Sequence, residues 1–437
     1  TVNLTATAGA NGTLTWYAGG CGSGSPIGTG TSINVAKPAV TTTYYARTES
    51  TTGCGNSACV STTVTVNPLP TAPSNPAASP SAICAGDTGT VNLTATAGAN
   101  GTLTWYADAC GSGSPIGTGT SINVAKPGVT TTYYARTEST TGCGNSACVS
   151  TTVTVNPLPT APTAVTADGA NPLTICPGGP NITLAYTGGS GDTLVWYEGD
   201  ACSGTPIGSG QNLSIAAPAS TTTYSARWET ASCGESDCVS VTVNVVTALP
   251  QVTSWKSWRA HGSGVGNLAI DLDADGGHTP VSEPRRGGVQ QIVVTFSEAV
   301  TAAPGGATVQ VWNAGTSSWD TGPAPTATSL SGDGMSLLVE FASGLPDAAR
   351  YRIDLAGLYQ SADTGCLLAG DTDCQVRVVL GDTNNDGAVN LADAGQVKTM
   401  NGVTVDATTA RFDVNTDGKL NLIDMALVKS RNGSAAP

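Results

Sequence analysis

A long internal repeat constrains this chain more than any other feature of its sequence. Residues 2–7 (VNLTAT) return unchanged as residues 91–96. The pair Trp16-Tyr17 returns as Trp105-Tyr106, 89 residues later, and again as Trp196-Tyr197 after a further 91 residues. A segment that recurs at a nearly fixed period is one structural unit written several times. We therefore predict three tandem domains that share one fold.

Each copy consists of short runs of threonine, valine and tyrosine that are separated by glycine and proline. Such runs predict β-strands joined by tight turns. Several short strands in a unit of this length indicate an immunoglobulin-like (Ig-like) β-sandwich. A tryptophan on an inner strand of such a sandwich is typically a core residue. We therefore predict that Trp16, Trp105 and Trp196 are buried and do not form a sugar-binding platform.

The chain is predicted to be mostly β, with tandem Ig-like β-sandwiches followed by a small α-helical module. Proline-rich spacers join the repeats and favour an extended, semi-rigid backbone. The predicted domains are Ig-like repeat 1 (residues 1–67, first strand missing), repeat 2 (74–156), repeat 3 (163–247), a fourth Ig-like domain (250–379) and the helical module (380–437).

Thirteen cysteines in a chain of low charge indicate an oxidising compartment and disulfides. Repeats 2 and 3 carry four cysteines each, which allows two bridges within each repeat without fixing the pairing, and Cys366 and Cys374 can close a small loop. Repeat 1 has only Cys21, Cys54 and Cys59, so one thiol has no partner within that repeat. The cysteines predicted to form disulfides are Cys84, Cys110, Cys143, Cys148, Cys176, Cys202, Cys233, Cys238, Cys366 and Cys374.

The missing first strand of repeat 1 has two interpretations. In one, the sequence is a piece of a longer protein and further repeats precede it. In the other, a second copy of the chain supplies the strand, because an unpaired sheet edge is a template for strand addition. The second interpretation makes the protein a subunit of a filament.

Two acidic loops near the end of the chain, residues 382–393 and 413–424, indicate calcium. Each loop has oxygen-bearing side chains at positions 1, 3, 5, 9 and 12 and a glycine at position 6, which is the ligand spacing of an EF-hand. Position 7 contributes only its main-chain carbonyl. We predict two calcium ions, with the ligands Asp382, Asn384, Asp386, Ala388, Asn390 and Asp393 in the first loop and Asp413, Asn415, Asp417, Lys419, Asn421 and Asp424 in the second.

The repeats resemble a known class of domain. The runs Trp-Tyr, Pro-Ile-Gly-Thr-Gly and Thr-Thr-Thr-Tyr-Tyr resemble the bacterial Ig-like repeats found in tandem in secreted adhesins and surface proteins. Residues 257–261 (SWRAH) and 292–296 (IVVTF) resemble the Ig-like domain that precedes dockerin modules in secreted proteins. These resemblances imply an extracellular or cell-surface protein.

The paired loops, each followed directly by a helix and each with aspartate at position 12, resemble a type I dockerin module. The resemblance implies calcium-dependent folding and two pseudo-symmetric helices that offer alternative faces to a cohesin partner. Leucine, alanine and isoleucine stand where cellulosomal dockerins favour small hydroxyl residues, which suits an apolar contact, including one with the neighbouring domain. Carried over by position, the partner-binding residues are Leu391, Ala392, Lys398, Thr399, Leu422, Ile423, Lys429 and Ser430.

Other classes of function are disfavoured. A net charge of −14 argues against nucleic acid as a partner, and no apolar run approaches the roughly 18 residues of a membrane span. His261 and His278 are isolated and no catalytic constellation appears, so we expect no enzyme. Residues 271–276 look like a third acidic loop, but its positions 9 and 12 are Thr279 and Ser282. We interpret that stretch as a strand end and an acidic turn.

These observations predict a non-catalytic extracellular structural or adhesive protein whose calcium-stabilised terminus contacts another protein. The partner is either another copy of the chain, in a filament, or a cohesin-like surface protein. The alternative is a dockerin-anchored carbohydrate-binding accessory protein of a cohesin-based complex. That alternative requires exposed, coplanar aromatic side chains, and Trp255 and Trp312 are the residues whose replacement would then weaken sugar retention.

Overall fold

The computed structural model describes residues 1–273, 279–303 and 307–437. Strands form most of the regular structure, and the longest described helices lie in the C-terminal module. This architecture confirms the predicted fold class. The chain divides into two compact units, residues 1–160 with 229–236 and residues 161–228 with 237–437.

The first unit contains repeats 1 and 2, which share one architecture. The strands of repeat 1 are β1 (Val2–Thr5), β2 (Gly12–Ala18), β3 (Gly28–Thr29), β4 (Ser32–Val35), β5 (Thr42–Ser50) and β6 (Val60–Val64). Those of repeat 2 are β7 (Ser74–Ser79), β8 (Ala82–Cys84), β9 (Thr90–Thr96), β10 (Thr102–Ala107), β11 (Gly117–Thr118), β12 (Ser121–Ala125), β13 (Thr131–Glu138) and β14 (Val149–Asn156).

Repeat 2 is a complete sandwich, whereas repeat 1 is an incomplete one. The sheets of repeat 2 have the strand orders β11-β10-β13-β14-β8 and β12-β9-β7. The sheets of repeat 1 have the orders β3-β2-β5-β6 and β1-β4. Among the described residues, no strand takes in repeat 1 the places that β7 and β8 take in repeat 2.

The Trp-Tyr pair supplies much of the core in these small sandwiches. Successive residues of a strand point to opposite faces. Trp105 therefore enters the core, where it is fully buried and donates its indole N–H to the carbonyl of Gly119 at 3.0 Å. Tyr106 lies on the other face, under the guanidinium of Arg136. Trp16 and Trp196 are buried like Trp105, which confirms the prediction that the three tryptophans are core residues.

The second unit contains most of repeat 3, the predicted fourth domain and the C-terminal module. The strands of repeat 3 are β15 (Ala164–Ala167), β16 (Leu173–Ile175), β17 (Ile182–Thr187), β18 (Thr193–Glu198), β19 (Pro206–Ser209), β20 (Leu213–Ile215), β21 (Thr222–Thr230), β22 (Gly234–Glu235) and β23 (Val239–Val245). Their sheets have the orders β15-β17-β20 and β16-β23-β21-β18-β19, with β22 paired to β21.

The fourth domain is a sandwich of two five-stranded sheets. The inward side chains of its strands are buried in one apolar core. The elements are β24 (Val252–Ala260), the one-turn helix α1 (Gly262–Val265), β25 (Asn267–Asp271), β26 (Val281–Glu283), β27 (Gln291–Phe296), β28 (Val300–Ala302), β29 (Thr308–Asn313), β30 (Ser318–Thr321), β31 (Ala327–Leu330), β32 (Ser336–Glu340), β33 (Ala349–Asp354), β34 (Tyr359–Ser361) and β35 (Asp373–Val378). The sheets run β25-β24-β27-β32-β31 and β26-β35-β33-β29-β30, and β28 pairs with β34.

The C-terminal module contains the two predicted helices, α2 (Leu391–Thr399) and α3 (Leu422–Ser430), and a short 3-10 turn at Ala410–Phe412. Each helix begins with a capping box in which an asparagine at the N-cap and an aspartate three residues later satisfy main-chain N–H groups reciprocally. Val397 of α2 and Val428 of α3 are fully buried in a common core. The two loop-helix halves therefore pack as one module.

The disulfides connect neighbouring domains as well as closing loops within them. One bridge is internal to each repeat, and the internal bridges are Cys21–Cys59, Cys110–Cys148 and Cys202–Cys238. The first cysteine of repeat 2, Cys84, bonds to Cys233, and Cys176 bonds to Cys366. The prediction of two bridges within each repeat is therefore wrong. The prediction fails because Cys84 lies opposite Asn156, at the end of the last strand, where the chain leaves repeat 2.

Three cysteines remain free thiols: Cys54, Cys143 and Cys374. The predictions that Cys143 and Cys374 form disulfides, and that Cys366 and Cys374 close a small loop, are wrong. Cys366 is bonded to Cys176, and Cys374 lies in the apolar core of the fourth domain. The prediction that one thiol of repeat 1 has no partner within the repeat is confirmed by Cys54, which is exposed.

The stretch 271–276 lies only partly within the described residues. Strand β25 ends at Asp271, in agreement with the predicted strand end. Asp275, Gly276 and His278 lie outside the described residues, so the acidic turn stays a prediction.

Candidate calcium and protein-binding site

The two acidic loops have matching hydrogen-bond geometry around the aspartate at their first position. Asp382 Oδ2 accepts the N–H of Gly387 at 2.8 Å, and Asp413 Oδ2 accepts that of Gly418 at 2.9 Å. Both aspartates are fully buried. Each loop is therefore wrapped around one carboxylate, as expected of a loop that encloses a cation.

The aspartate at position 12 joins each loop to the helix that follows it. Asp393 Oδ2 accepts the N–H of Asn390 at 2.9 Å, and Asp424 Oδ2 accepts that of Asn421 at 3.0 Å. Both aspartates are fully buried within the first turn of their helices, where the helix dipole favours negative charge. Asp393 Oδ1 accepts the N–H of Thr383 at 2.9 Å, and Asp424 Oδ1 accepts that of Asn415 at 3.1 Å, so position 12 also lies close to the start of each loop.

The side chains at positions 3 and 5 also lie together. Asn384 donates its amide to Asp386 Oδ2 at 2.8 Å, and Asn415 donates to Asp417 Oδ2 at 3.0 Å. In the first loop the amide of Asn390, at position 9, is 3.4 Å from the same oxygen of Asp386. The structure therefore brings together the predicted ligand side chains at positions 3 and 5 of both loops.

Glycine at position 6 is required by the backbone. Gly387 has a φ of +88° and Gly418 a φ of +84°, which lie in the region that side chains with a Cβ atom rarely adopt. The sharp turn at this position directs the main chain of Ala388 and Lys419 back along the loop, with their N–H groups bonded to Asp386 and Asp417.

The electrostatics of the loops fit a bound cation. Burial raises the pKa of Asp382, and the charges of Asp393 and Asp386 raise it further. Burial likewise raises the pKa of Asp424, with contributions from the other aspartates of its loop. Within the described residues, no group of three or more acidic, histidine or cysteine side chains converges on one point. Ligation would therefore need the amide and main-chain oxygens as well, a mixed set of hard oxygen ligands that suits calcium.

The fourth domain contacts the first aspartate of both loops. The hydroxyl of Ser282 donates to Asp382. His261 Nδ1 lies 2.7 Å from Asp413 Oδ2, and both of these side chains are fully buried. We call His261 and Ser282 the loop-contact surface. Through it, the fourth domain contacts both loops.

A buried ion pair orients His261. The guanidinium of Arg285 donates to both carboxylate oxygens of Glu283, at 2.7 and 2.6 Å, and both side chains are fully buried. Arg285 Nη1 also lies 3.1 Å from His261 Nε2. Because arginine has donors only, Nε2 is the acceptor and carries no proton. The imidazole proton therefore lies on Nδ1 and is donated to Asp413.

Sequence reasoning missed the loop-contact surface and the ion pair behind it. His261 was predicted only as an isolated histidine, and Ser282 only as a poor last position of a third acidic loop. A weak signal exists in the run Glu283-Pro-Arg285-Arg286, which concentrates charge in a chain with 11% charged residues. Nothing in the run indicates which distant residues it contacts.

The predicted partner-binding residues lie on the outside of the two helices. Leu391 is 76% exposed, Leu422 56% and Ile423 62%. The smaller and polar members of the set, Ala392, Lys398, Thr399, Lys429 and Ser430, are exposed as well. The module contacts the neighbouring domain through its loops and near the end of α3, where Arg431 lies 3.9 Å from Asp347. Leu391, Leu422 and Ile423 are not covered by that domain, so the apolar contact with it that the sequence left open is not made through these three side chains.

The aromatic residues named for sugar binding do not form a flat platform. Trp255 is buried in the core of the fourth domain. Trp312 meets Trp319 with ring centroids 5.2 Å apart and planes inclined by 69°, and Arg350 lies over both rings. These rings are neither coplanar nor open on the face that the arginine covers.

The sequence matches two protein families. The family described as "Ig-like domain CHU_C associated" matches residues 1–68, 70–157 and 159–246, more than half of the chain. The family described as "Dockerin type I domain" matches residues 380–431. A comparison with curated proteins found no match. Within the described residues, no helix is long and apolar enough to cross a membrane.

Several solved structures are similar to this chain. The Ca2+-stabilised adhesin with which an Antarctic bacterium binds ice is 18% identical, with 86% of this chain and 93% of that chain covered and a TM-score of 0.30. A 1.5-MDa bacterial ice-binding adhesin is 13% identical, with 70% and 99% covered and a TM-score of 0.31. The FN1–FN3 domains of chicken CNTN1 are 13% identical, with 71% and 100% covered and a TM-score of 0.21.

The family matches coincide with the structural features already described. The residues of the three Ig-like matches form the three small sandwiches, and the dockerin match covers both acidic loops and both helices. Type I dockerin domains bind calcium, and both families are non-catalytic. The chain therefore belongs to the CHU_C-associated Ig-like domain family, with three such repeats followed by a C-terminal type I dockerin domain.

Proposed function

We propose that this protein is a non-catalytic extracellular structural or adhesive protein that presents a calcium-stabilised dockerin domain to a protein partner. The proposal rests on one observation, which is that the loops of the dockerin domain contact the fourth domain whereas its helix residues are exposed. The loops are held by His261 and Ser282 of the fourth domain. The helix residues Leu391, Leu422 and Ile423 remain exposed. A rigidly held module with free apolar side chains is suited to binding another protein.

Calcium stabilises the folded dockerin domain. We propose two ions, one in each loop, because the two loops have matching geometry and equivalent acidic residues at positions 1, 5 and 12. Calcium, when bound, supplies the positive charge that offsets the crowded carboxylates. The chain's own residues hold the loops in shape, since Ser282 and His261 donate to the first aspartate of each.

The disulfides support an extracellular location. Five bridges lie within the described residues, and two of them join one domain to the next. Such bridges persist in oxidising compartments and are reduced in the cytosol. The chain thus has covalently linked domains that suit a structural or adhesive role outside the cell.

The dockerin helices offer two equivalent faces to the partner. Leu391 begins α2 as Leu422 begins α3, 31 residues later, and Ala392 is likewise matched by Ile423. A partner that binds one face can bind the other after a half-turn of the module. We propose a cohesin-like protein as the partner, with a second copy of this chain as the alternative.

Binding to a purified type I cohesin module tests this proposal. The wild-type chain is expected to bind it in calcium and not in chelator. Because either face suffices, Leu391→Asp and Leu422→Asp are each expected to retain binding, and the double variant is expected to lose it. Leu69→Asp is the matched control, since Leu69 is also an exposed leucine, 69% accessible, but lies in the linker after repeat 1.

Light scattering on the same samples separates the two partners. Calcium-dependent growth in molar mass that the Leu391→Asp/Leu422→Asp double variant abolishes favours a second copy of the chain. A double variant that binds cohesin and self-associates as well as the wild type contradicts the proposed face.

A further inference from the structure

We propose that repeat 1 accepts a strand segment of the kind that opens an Ig-like repeat, and that the cysteine of this segment forms a disulfide with Cys143 of repeat 2. The segment has the chemistry of residues 68–84 of this chain: a proline-rich linker, two short strands and a terminal cysteine. The dockerin domain takes no part, so the inference stands independently of the proposed function.

The first observation is a pair of open strand edges. In repeat 2, β7 pairs with β9 and β8 pairs in parallel with β14. The equivalent strands of repeat 1, β1 and β6, have no such neighbours among the described residues. At the offset of 89 residues, Val153 of β14 corresponds to Val64 of β6. Val153 is fully buried, whereas Val64 is half-buried.

The missing neighbour leaves β6 uncovered along its whole length. Val60 at its start is 61% exposed. The strand stops at Val64, although β14 continues to Asn156, which corresponds to Asn67. Main-chain groups at such an edge are free to pair with an incoming strand.

The second observation is a cleft at the other end of repeat 1. In repeat 2, the linker before β7 is fixed to the turn after β9, because Thr71 N–H donates to Ala99 O at 3.1 Å and the Asn100 amide donates to Leu69 O at 3.1 Å. The corresponding residues of repeat 1, Ala10 and Asn11, line an open cleft of about 590 Å³. Two residues that line this cleft therefore correspond to the residues that bind the linker in repeat 2.

The third observation is the position of Cys143. In repeat 2, β8 places Cys84 opposite Asn156, and Cys84 bonds to Cys233. A segment in the same register along β6 would place its cysteine opposite Asn67. Asn67 and Thr141 line one small cavity of about 210 Å³. Thr141 and Cys143 belong to the same turn, so the incoming cysteine lies beside the free thiol.

The turn around Cys143 matches the turn around the bonded Cys233. The N–H of Cys143 donates to the hydroxyl of Ser139 at 3.1 Å, and the N–H of Cys233 donates to the hydroxyl of Thr230 at 3.0 Å. Both turns follow the long strand that pairs with the Trp-Tyr strand. Cys143 therefore has the local structure of a cysteine that bonds to the preceding repeat.

Formation of the bond is an ordinary two-electron oxidation. The thiols of Cys143 and of the segment lose two protons and two electrons, and a disulfide-carrying oxidant of the extracellular compartment accepts them and becomes a dithiol. Thiol–disulfide exchange achieves the same result without a net oxidant when the segment's cysteine arrives already activated as a mixed disulfide.

A synthetic peptide of residues 68–85, with Cys84 activated as a mixed disulfide of an aromatic thiol, tests the inference on the full chain. The Cys143 thiolate attacks the peptide sulfur, and the aromatic thiolate leaves. Peptide mapping by mass spectrometry then reports the adduct at each cysteine. We expect Cys143 to react at least about tenfold faster than Cys54, because binding of the segment raises the local concentration of its sulfur. If solvent exposure alone set the rates, Cys54 would react faster than Cys143, because Cys54 is exposed and Cys143 is half-buried.

Matched variants separate binding from chance reaction. Cys143→Ser is expected to abolish the preferred adduct, and Cys54→Ser to leave it unchanged. A peptide with Ile83→Asp keeps the sulfur but places a charge where Ile83 is 4% exposed in repeat 2, so its preference for Cys143 should disappear. An adduct mainly at Cys54, equal selectivity of the two peptides, no adduct, or a Cys143–Cys143 dimer in place of the adduct would each overturn the inference.

Discussion

Replacing Arg285 with methionine tests whether a buried ion pair supports the surface on which the dockerin loops rest. The Arg285 guanidinium is fully buried, donates to both oxygens of Glu283 and contacts His261 Nε2. Methionine fills a similar volume but leaves the Glu283 carboxylate buried without its partner. Removing one partner of a buried ion pair costs about 3–5 kcal/mol.

This cost translates into a large shift of melting temperature. In domains of about 150–250 residues each kcal/mol changes Tm by about 2–4 °C, so a fall of roughly 6–20 °C is expected. Burial alone would raise the pKa of Glu283, but the charge and hydrogen bonds of Arg285 hold it below its usual range. A lowered carboxyl pKa gives stability that is present above the unfolded pKa and is lost as pH falls through the folded pKa. The difference between wild type and variant is therefore largest at neutral pH and narrows in acid.

Differential scanning calorimetry of the full chain in calcium measures this effect. Arg352→Met is the matched control, because Arg352 pairs with Asp373 at 2.8 Å while about a third of its side chain is exposed. Exposed pairs contribute at most about 1 kcal/mol. If Arg285→Met melts at the same temperature as Arg352→Met, the ion pair does not support the fourth domain as argued.

Two further predictions concern the dockerin loops. Gly418→Ala places a Cβ 2.6 Å from the carbonyl oxygen of His261, whereas Gly387→Ala meets no atom closer than 3.3 Å. Both have positive φ, so the clash should make Gly418→Ala less stable by a further ~1–3 kcal/mol in thermal melts, and equal losses would argue against the contact with the fourth domain. Because burial raises the pKa of Asp382 and Asp424, these two carboxyl groups bind more protons in the calcium-free folded module than in the unfolded chain, so their contribution should raise its Tm as pH falls toward about 4, the unfolded pKa of aspartate. Calcium should reverse this trend, since its ligands must be deprotonated. A calcium-free Tm that falls over the same range would show that other groups dominate.

Features that depend only on neighbouring residues could be predicted from the sequence. The spacing of oxygen side chains around Gly387 and Gly418 defines each loop by itself, and the capping asparagines mark where the helices begin. The Trp-Tyr pairs place one ring on each face of a strand, so the burial of Trp105 follows from alternation alone.

Features that depend on distant contacts were not predictable in the same way. Ser282 and Asp382 are 100 residues apart, and His261 and Asp413 are 152 apart. A single serine or histidine has no periodicity that indicates its partner. The Cys84–Cys233 bridge is set by where β8 ends beside β14, a register that four cysteines in a repeat leave open.

Calcium titration by isothermal calorimetry counts the ions that the two acidic loops bind. We expect two ions per wild-type chain, one for each loop. Asp386→Ala and Asp417→Ala remove the exposed position-5 ligand from one loop each and leave Ser282 and His261 in place, so each variant should bind one ion. The double variant should bind none. A wild-type chain that binds no calcium, or a stoichiometry that neither variant changes, would contradict the assignment of the two loops as the calcium sites that stabilise the partner-binding module.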